Sequence, residues 1–131
     1  MSSATRMMLG LTLIVVPTII YGGLTVLGVV SGGRFGAPAP QTLTPAQQGC
    51  YRAGHAHAGV LMILSLILQM LVDDAQLGSL EWSVRIAAPA AAILVSGGFF
   101  GIAHLPALRG MLYLGALLLA YATVAVGIGL L

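Results

Sequence analysis

Residues 49–74 read GCYRAGHAHAGVLMILSLILQMLVDD, a crowded polar entry followed by an apolar run that closes on Gln69, Asp73 and Asp74. Two of the three histidines of the chain lie here. Positions 52, 55, 59, 62, 66, 69 and 73 advance by alternating steps of three and four, which on a helix is one face. That face reads Arg, His, Gly, Met, Leu, Gln, Asp, and the other positions of the run are overwhelmingly apolar. In so hydrophobic a sequence, a polar stripe is expected to face protein neighbours, bound ligand or water rather than lipid.

The whole composition points the same way. Of 131 residues, 59% are hydrophobic and only 6% charged, too few charges to clothe a soluble domain. The expectation is an integral membrane protein. Five arginines, no lysine and three acids give a net charge of +2, too small and too scattered along the chain to suggest a nucleic-acid partner. The single cysteine, Cys50, excludes an internal disulfide and any CxxC metal or redox site.

Working outward, four segments are long enough to cross a hydrocarbon core of about 30 Å at about 1.5 Å per residue. They are residues 9–30, 53–72, 84–103 and 108–131, within one transmembrane domain spanning residues 1–131. The first follows Arg6 and precedes Ala37-Pro38-Ala39, a pattern that mimics a secretory leader, but its apolar run is too long, so it reads as a retained helix. It holds Pro17 and no charge. Small multidrug resistance transporters share this size and helix count, yet their likeness depends on a carboxylate inside the first helix, which this sequence lacks. Residues 32–48, rich in Gly, Pro, Gln and Thr, read as an irregular loop able to lie over an entrance beside His55. Trp82 reads as an interfacial anchor and Gln69 as an interhelical hydrogen-bonding group.

Val30-Ser31-Gly32-Gly33-Arg34-Phe35-Gly36 and Val95-Ser96-Gly97-Gly98-Phe99-Phe100-Gly101 match at six of seven positions, offset by 65 residues. Half the chain separates them, so the echo suggests two parallel-repeat helical hairpins. The predicted fold is therefore an all-α integral membrane protein, a four-transmembrane-helix bundle with both termini on one side. Glycines 22, 23, 28, 32, 33, 97, 98, 101, 110 and 115 are expected at tight helix contacts.

This topology brings all three histidines to one membrane face. His55 and His57 lie about 200° apart on a regular helix, so both point at one ion only if the helix starts after them. His55 shares the polar stripe with Arg52. Gly59, one turn below, leaves room beside it. His104 shares a face with Gly97 and Gly101, while His57 looks toward a different neighbour, such as the first helix or another protomer. The candidate cofactor-binding residues are His55, His104, His57, Arg52, Ser96 and Gly97, with His55, His57 and His104 as metal ligands. Paired imidazoles suit haem iron, and His with Cys50 or a second chain suits copper or zinc. The HAHAG segment at a helix start resembles the histidine-bearing helices of haem-binding membrane proteins, over too short a stretch to carry a function across.

Residue count excludes several enzymes. Three histidines and no mid-membrane acid satisfy neither a membrane di-iron centre nor an HExxH protease. Ser96 and His104 stand about 12 Å apart along their helix, too far for nucleophile activation. The sequence supports two functions: a haem- or transition-metal-binding redox module, or a non-catalytic accessory subunit of a larger membrane complex. Neither makes the chain an enzyme on its own. The expected surroundings are a lipid bilayer and either further copies of the chain or a larger complex. A multi-pass protein of a bacterial cell membrane fits all of this.

Overall fold

In the computed structural model, which describes residues 1–34 and 43–131, the chain is all-helical. Four long helices follow one another: α1 (Ser3–Ser31), α2 (Pro45–Leu71), α3 (Glu81–Ile102) and α4 (Arg109–Gly129), with single 3-10 turns at Gly78–Leu80 and Pro106–Leu108. All four are long and apolar enough to cross a membrane.

α1 and α2 start six or more residues before the hydropathy implies, and in both a side-chain cap is the reason. The Ser2 hydroxyl accepts the Thr5 N–H at 3.1 Å, so α1 begins at Ser3 rather than at residue 9. At α2 the Thr44 hydroxyl accepts the Gln47 N–H at 3.3 Å, while the Gln47 side chain accepts the Thr44 N–H at 3.0 Å. This reciprocal pair satisfies two donors that a helix start leaves orphaned, and Pro45 in the first turn gives up no bond. The loop expected over residues 32–48 is therefore shorter, and His55 and His57 lie well inside a regular helix. Residues 35–42, which include most of the segment expected over the entrance, fall outside the described residues.

The helices pack in chain order rather than as four staves around one axis. α3 is central, with α2 on one flank and α4 on the other; α1 lies outside, against α2. Alanines make the central position possible: Ala87, Ala88, Ala91 and Ala92 are all buried, and their small side chains let two neighbours approach one helix. One apolar cluster joins Leu68, Val72, Val84, Ala88, Ala122 and Val126 near the α2–α3 connection. A second, around Leu61, Ala92 and Val95, lies further along.

Both termini sit at the same end, as an even number of helices running alternately up and down requires. The Ser2 N–H donates to Asp73 at 2.6 Å, and the Gln76 N–H donates to the Gly129 carbonyl at 2.7 Å. The expected glycine contacts divide. A Cβ on Gly98 would meet Leu112 at 2.8 Å, one on Gly101 Leu108 at 2.7 Å, and one on Gly115 the Val95 backbone at 2.9 Å. Gly22, Gly32 and Gly110 have open space instead; Gly32 is needed because it ends α1 at φ 61°. The echoed segments also differ, since the first ends α1 while the second stays helical through Gly101.

Candidate functional site

The histidine end is built from the first turns of α2, the last turn of α3 and the start of α4. Gln47 Nε2 donates to the Ala103 carbonyl at 2.8 Å, which ties α2 to the end of α3. One turn on, the Tyr51 hydroxyl pairs with His104 Nε2 at 3.0 Å, and the Tyr51 ring stands edge-on to Phe100 with centroids 5.2 Å apart. His104, itself exposed, thus turns toward the rim of α2.

The other two histidines take separate directions. His55 lies over α1, where a Cβ on Gly23 would come within 2.8 Å of its Nε2. His57 holds the Ala53 carbonyl through Nδ1 at 2.7 Å and lays its ring against Phe99 on α3, centroids 4.8 Å apart. It is therefore His55, not His57, that meets the first helix. The three rings do not converge, and among the described residues no group of three His, Cys, Asp or Glu side chains is close enough to hold a metal ion.

The remaining candidates are similarly dispersed. Arg52 is exposed. Ser96 is buried, and its hydroxyl has no partner among the described residues. Its carbonyl sits 3.1 Å from where a Gly54 Cβ would be, with the Phe100 ring equally close, so Gly54 and Phe100 fill the space beside it. A Cβ on Gly97 would touch only Met111, at 3.4 Å, and Gly59 faces open space.

A denser polar site lies at the opposite end. Arg85 of α3 is 1% exposed. Its Nη2 donates to Asp73 Oδ1 at 2.8 Å, its Nε to Glu81 at 2.9 Å, and its Nη1 to Thr5 Oγ1 at 2.8 Å and to Gln69 Oε1 at 3.4 Å. Gln69, also 1% exposed, donates back to the Arg85 carbonyl at 2.6 Å. The Thr5 hydroxyl completes the ring by donating to Asp73 Oδ1 at 2.6 Å. One guanidinium therefore fastens α1, α2 and α3 together. Burying a lone guanidinium is costly by several kcal/mol, so its presence here depends on these acceptors.

Asp73 sits just beyond α2 with its side chain 16% exposed. The Thr5 hydroxyl, then the Ser2 N–H and hydroxyl, then Arg85, all donate to it and hold its carboxyl far below the usual carboxylate range, against a smaller opposing push from burial. It stays ionised through any physiological pH. The sequence did carry a signal for this site. Gln69 and Asp73 are spaced i,i+4, as are Glu81 and Arg85, and the short connection between them turns the two pairs face to face.

No protein-family model, curated protein or solved structure matches this chain. What the arrangement can do rests on its own chemistry. The arginine site spends four of its donor contacts inside the protein, a fastening rather than an open binding site. At the histidine end, the Ala53 contact fixes which nitrogen of His57 is engaged and leaves Nε2 as the other.

Proposed function

We propose that the chain is a multi-pass membrane protein that acts as a non-catalytic structural subunit of a larger membrane assembly. The observation that carries this reading is the use of its buried charge: Arg85 and its acceptors are consumed in fastening three helices. The outward side chains Leu11, Ile14 and Ile20 of α1, and Leu117, Val124 and Ile128 of α4, remain apolar and exposed. Such faces suit lipid or the helices of a partner. The full chain should stay with membranes after alkaline extraction, and it should purify colourless and without stoichiometric metal. Photo-crosslinking residues at positions 14 and 117 should give discrete protein adducts from at least one face. Adducts to lipid alone at both positions would remove the subunit role.

A second reading keeps the histidines as ligands for haem or for copper or zinc. One observation favours it: His57 is held through Nδ1 by a backbone carbonyl, the arrangement that orients imidazole ligands in metal sites and leaves Nε2 to coordinate. Under this reading His57 leads, and the remaining ligands come from His55, His104 or another chain. Titration of the purified protein with haemin and with copper tests it. Binding should then be lost in His57→Ala, and unchanged spectra in all three histidine variants would end the ligand role.

A further inference from the structure

The two ends of the molecule carry opposite charge balances. Arg34 follows the end of α1, Arg52 lies near the start of α2, and Arg109 opens α4, so the topology places all three toward the histidine end. Each is exposed, and none forms an ion pair among the described residues. The sequence offers them no acid there either. All three acids of the chain, Asp73, Asp74 and Glu81, belong to the α2–α3 connection or the first turn of α3, and residues 35–42 are uncharged. The other end holds Arg6 and Arg85 against those acids. One end is thus a set of three uncompensated guanidinium groups, and the other is nearly self-neutral.

An uncompensated arginine at the edge of an apolar helix draws its counter-charge from outside the chain. The planar fork of a guanidinium matches two oxygens of a phosphate diester, and its aliphatic stem covers apolar surface on the way to the headgroup level. Basic residues also gather on the side of membrane proteins that meets the more anionic leaflet. From this charge complementarity, and resting on the membrane reading above, we propose that the end formed by Arg34, Arg52 and Arg109 is a docking face for the headgroups of anionic phospholipids. The histidines on the same face, His55, His57 and His104, are the other titratable groups there besides Tyr51 and Cys50.

The test uses the full chain in nanodiscs of phosphatidylcholine with and without phosphatidylglycerol, and reads the lipids that stay bound after release by native mass spectrometry. The wild-type protein should retain phosphatidylglycerol above its share of the bilayer, by about fivefold for each arginine engaged. The triple variant Arg34→Gln, Arg52→Gln, Arg109→Gln should lose this enrichment, whereas Arg6→Gln should keep it. Because the three arginines have no side-chain partners among the described residues, the variant should retain wild-type helicity by circular dichroism, and the three single variants should each lose part of the enrichment. Equal retention of both lipids by the wild type, or unchanged enrichment in the triple variant, overturns the proposal. Binding of inorganic phosphate by the wild type in phosphatidylcholine discs, lost in the triple variant and without any enrichment of phosphatidylglycerol, also overturns it, by assigning the face to a soluble anion. Failure of the protein to enter nanodiscs at all would instead strike the membrane reading itself.

Discussion

The two polar ends of this molecule use the same kinds of side chain to different effect. At the α2–α3 connection a guanidinium, a carboxylate, an amide and a hydroxyl from three helices bond to one another in a closed set. At the histidine end each ring finds its own neighbour: Tyr51 for His104, Ala53 and Phe99 for His57, Gly23 for His55. The difference lies in geometry. A buried arginine presents several donors in a fixed plane and needs several acceptors at once, which draws helices together, whereas an imidazole is satisfied by one or two contacts near its own helix.

The contrast can be broken most directly at Arg85. Replacing it by Met should leave Gln69, Thr5 and Asp73 without their shared donor and should destabilise the protein by about 3–5 kcal/mol, read by thermal or detergent-titrated unfolding of the purified chain. A loss no larger than that of a surface variant would mean that the guanidinium is not what holds α1 in place. Gln69→Leu comes next, at about 1–3 kcal/mol, because it strips the buried Arg85 carbonyl of its donor. Tyr51→Phe, which removes only the exposed bond to His104, should cost at most about 1 kcal/mol. Should Tyr51→Phe prove as harmful as Arg85→Met, the histidine end would be a second fastening and the comparison would collapse.

The smallest effect expected is that of pH. Asp73 binds its proton less readily when folded, so the stability it supplies is complete above its ordinary value of 3.8 and is lost only as the pH falls below that value toward the folded one. Its contribution to unfolding stability should therefore not change between neutral pH and about pH 5. Below about pH 4 stability should fall, and the acid-dependent loss should shrink in Asp73→Asn. A decline already present near pH 6 in the wild type and absent from Asp73→Asn would contradict the bonding described for this carboxylate.

Much of the architecture was legible because hydropathy and length alone mark four spans, and an even number of spans returns both termini to one end. Gln69 also reads correctly as an interhelical bonding group. The helix starts did not follow hydropathy, since Ser2 and the Thr44–Gln47 pair begin helices in polar sequence. The short-range capping pattern was present in the letters but was masked by the Pro- and Gln-rich context. The site was harder. Helical phase places His55 and His104 on faces, but a long aromatic or imidazole side chain can leave its face for a neighbour, as Tyr51 draws His104 outward. Arg85 was obscured by its chemistry: an arginine one turn into a helix reads as a solvated end unless its acceptors, the nearest in sequence four residues away and the farthest eighty, are matched in space.

That last separation has a bearing on how the protein is made. Thr5 leaves the ribosome long before Arg85, its partner 80 residues later, and at about 5–20 residues per second the delay is about 4–16 s. Through that interval α1 has no Arg85 guanidinium to close on, so the first helix synthesised waits for the third, and α3 delivers the key. Chains arrested before Arg85 emerges should accordingly fail to form a disulfide crosslink between cysteines placed at positions 23 and 55, where α1 and α2 face each other away from the arginine's acceptors, and chains arrested after α3 has emerged should form it. Crosslinking at equal yield in both would mean that α1 and α2 close as an independent hairpin and that Arg85 arrives at a site already made.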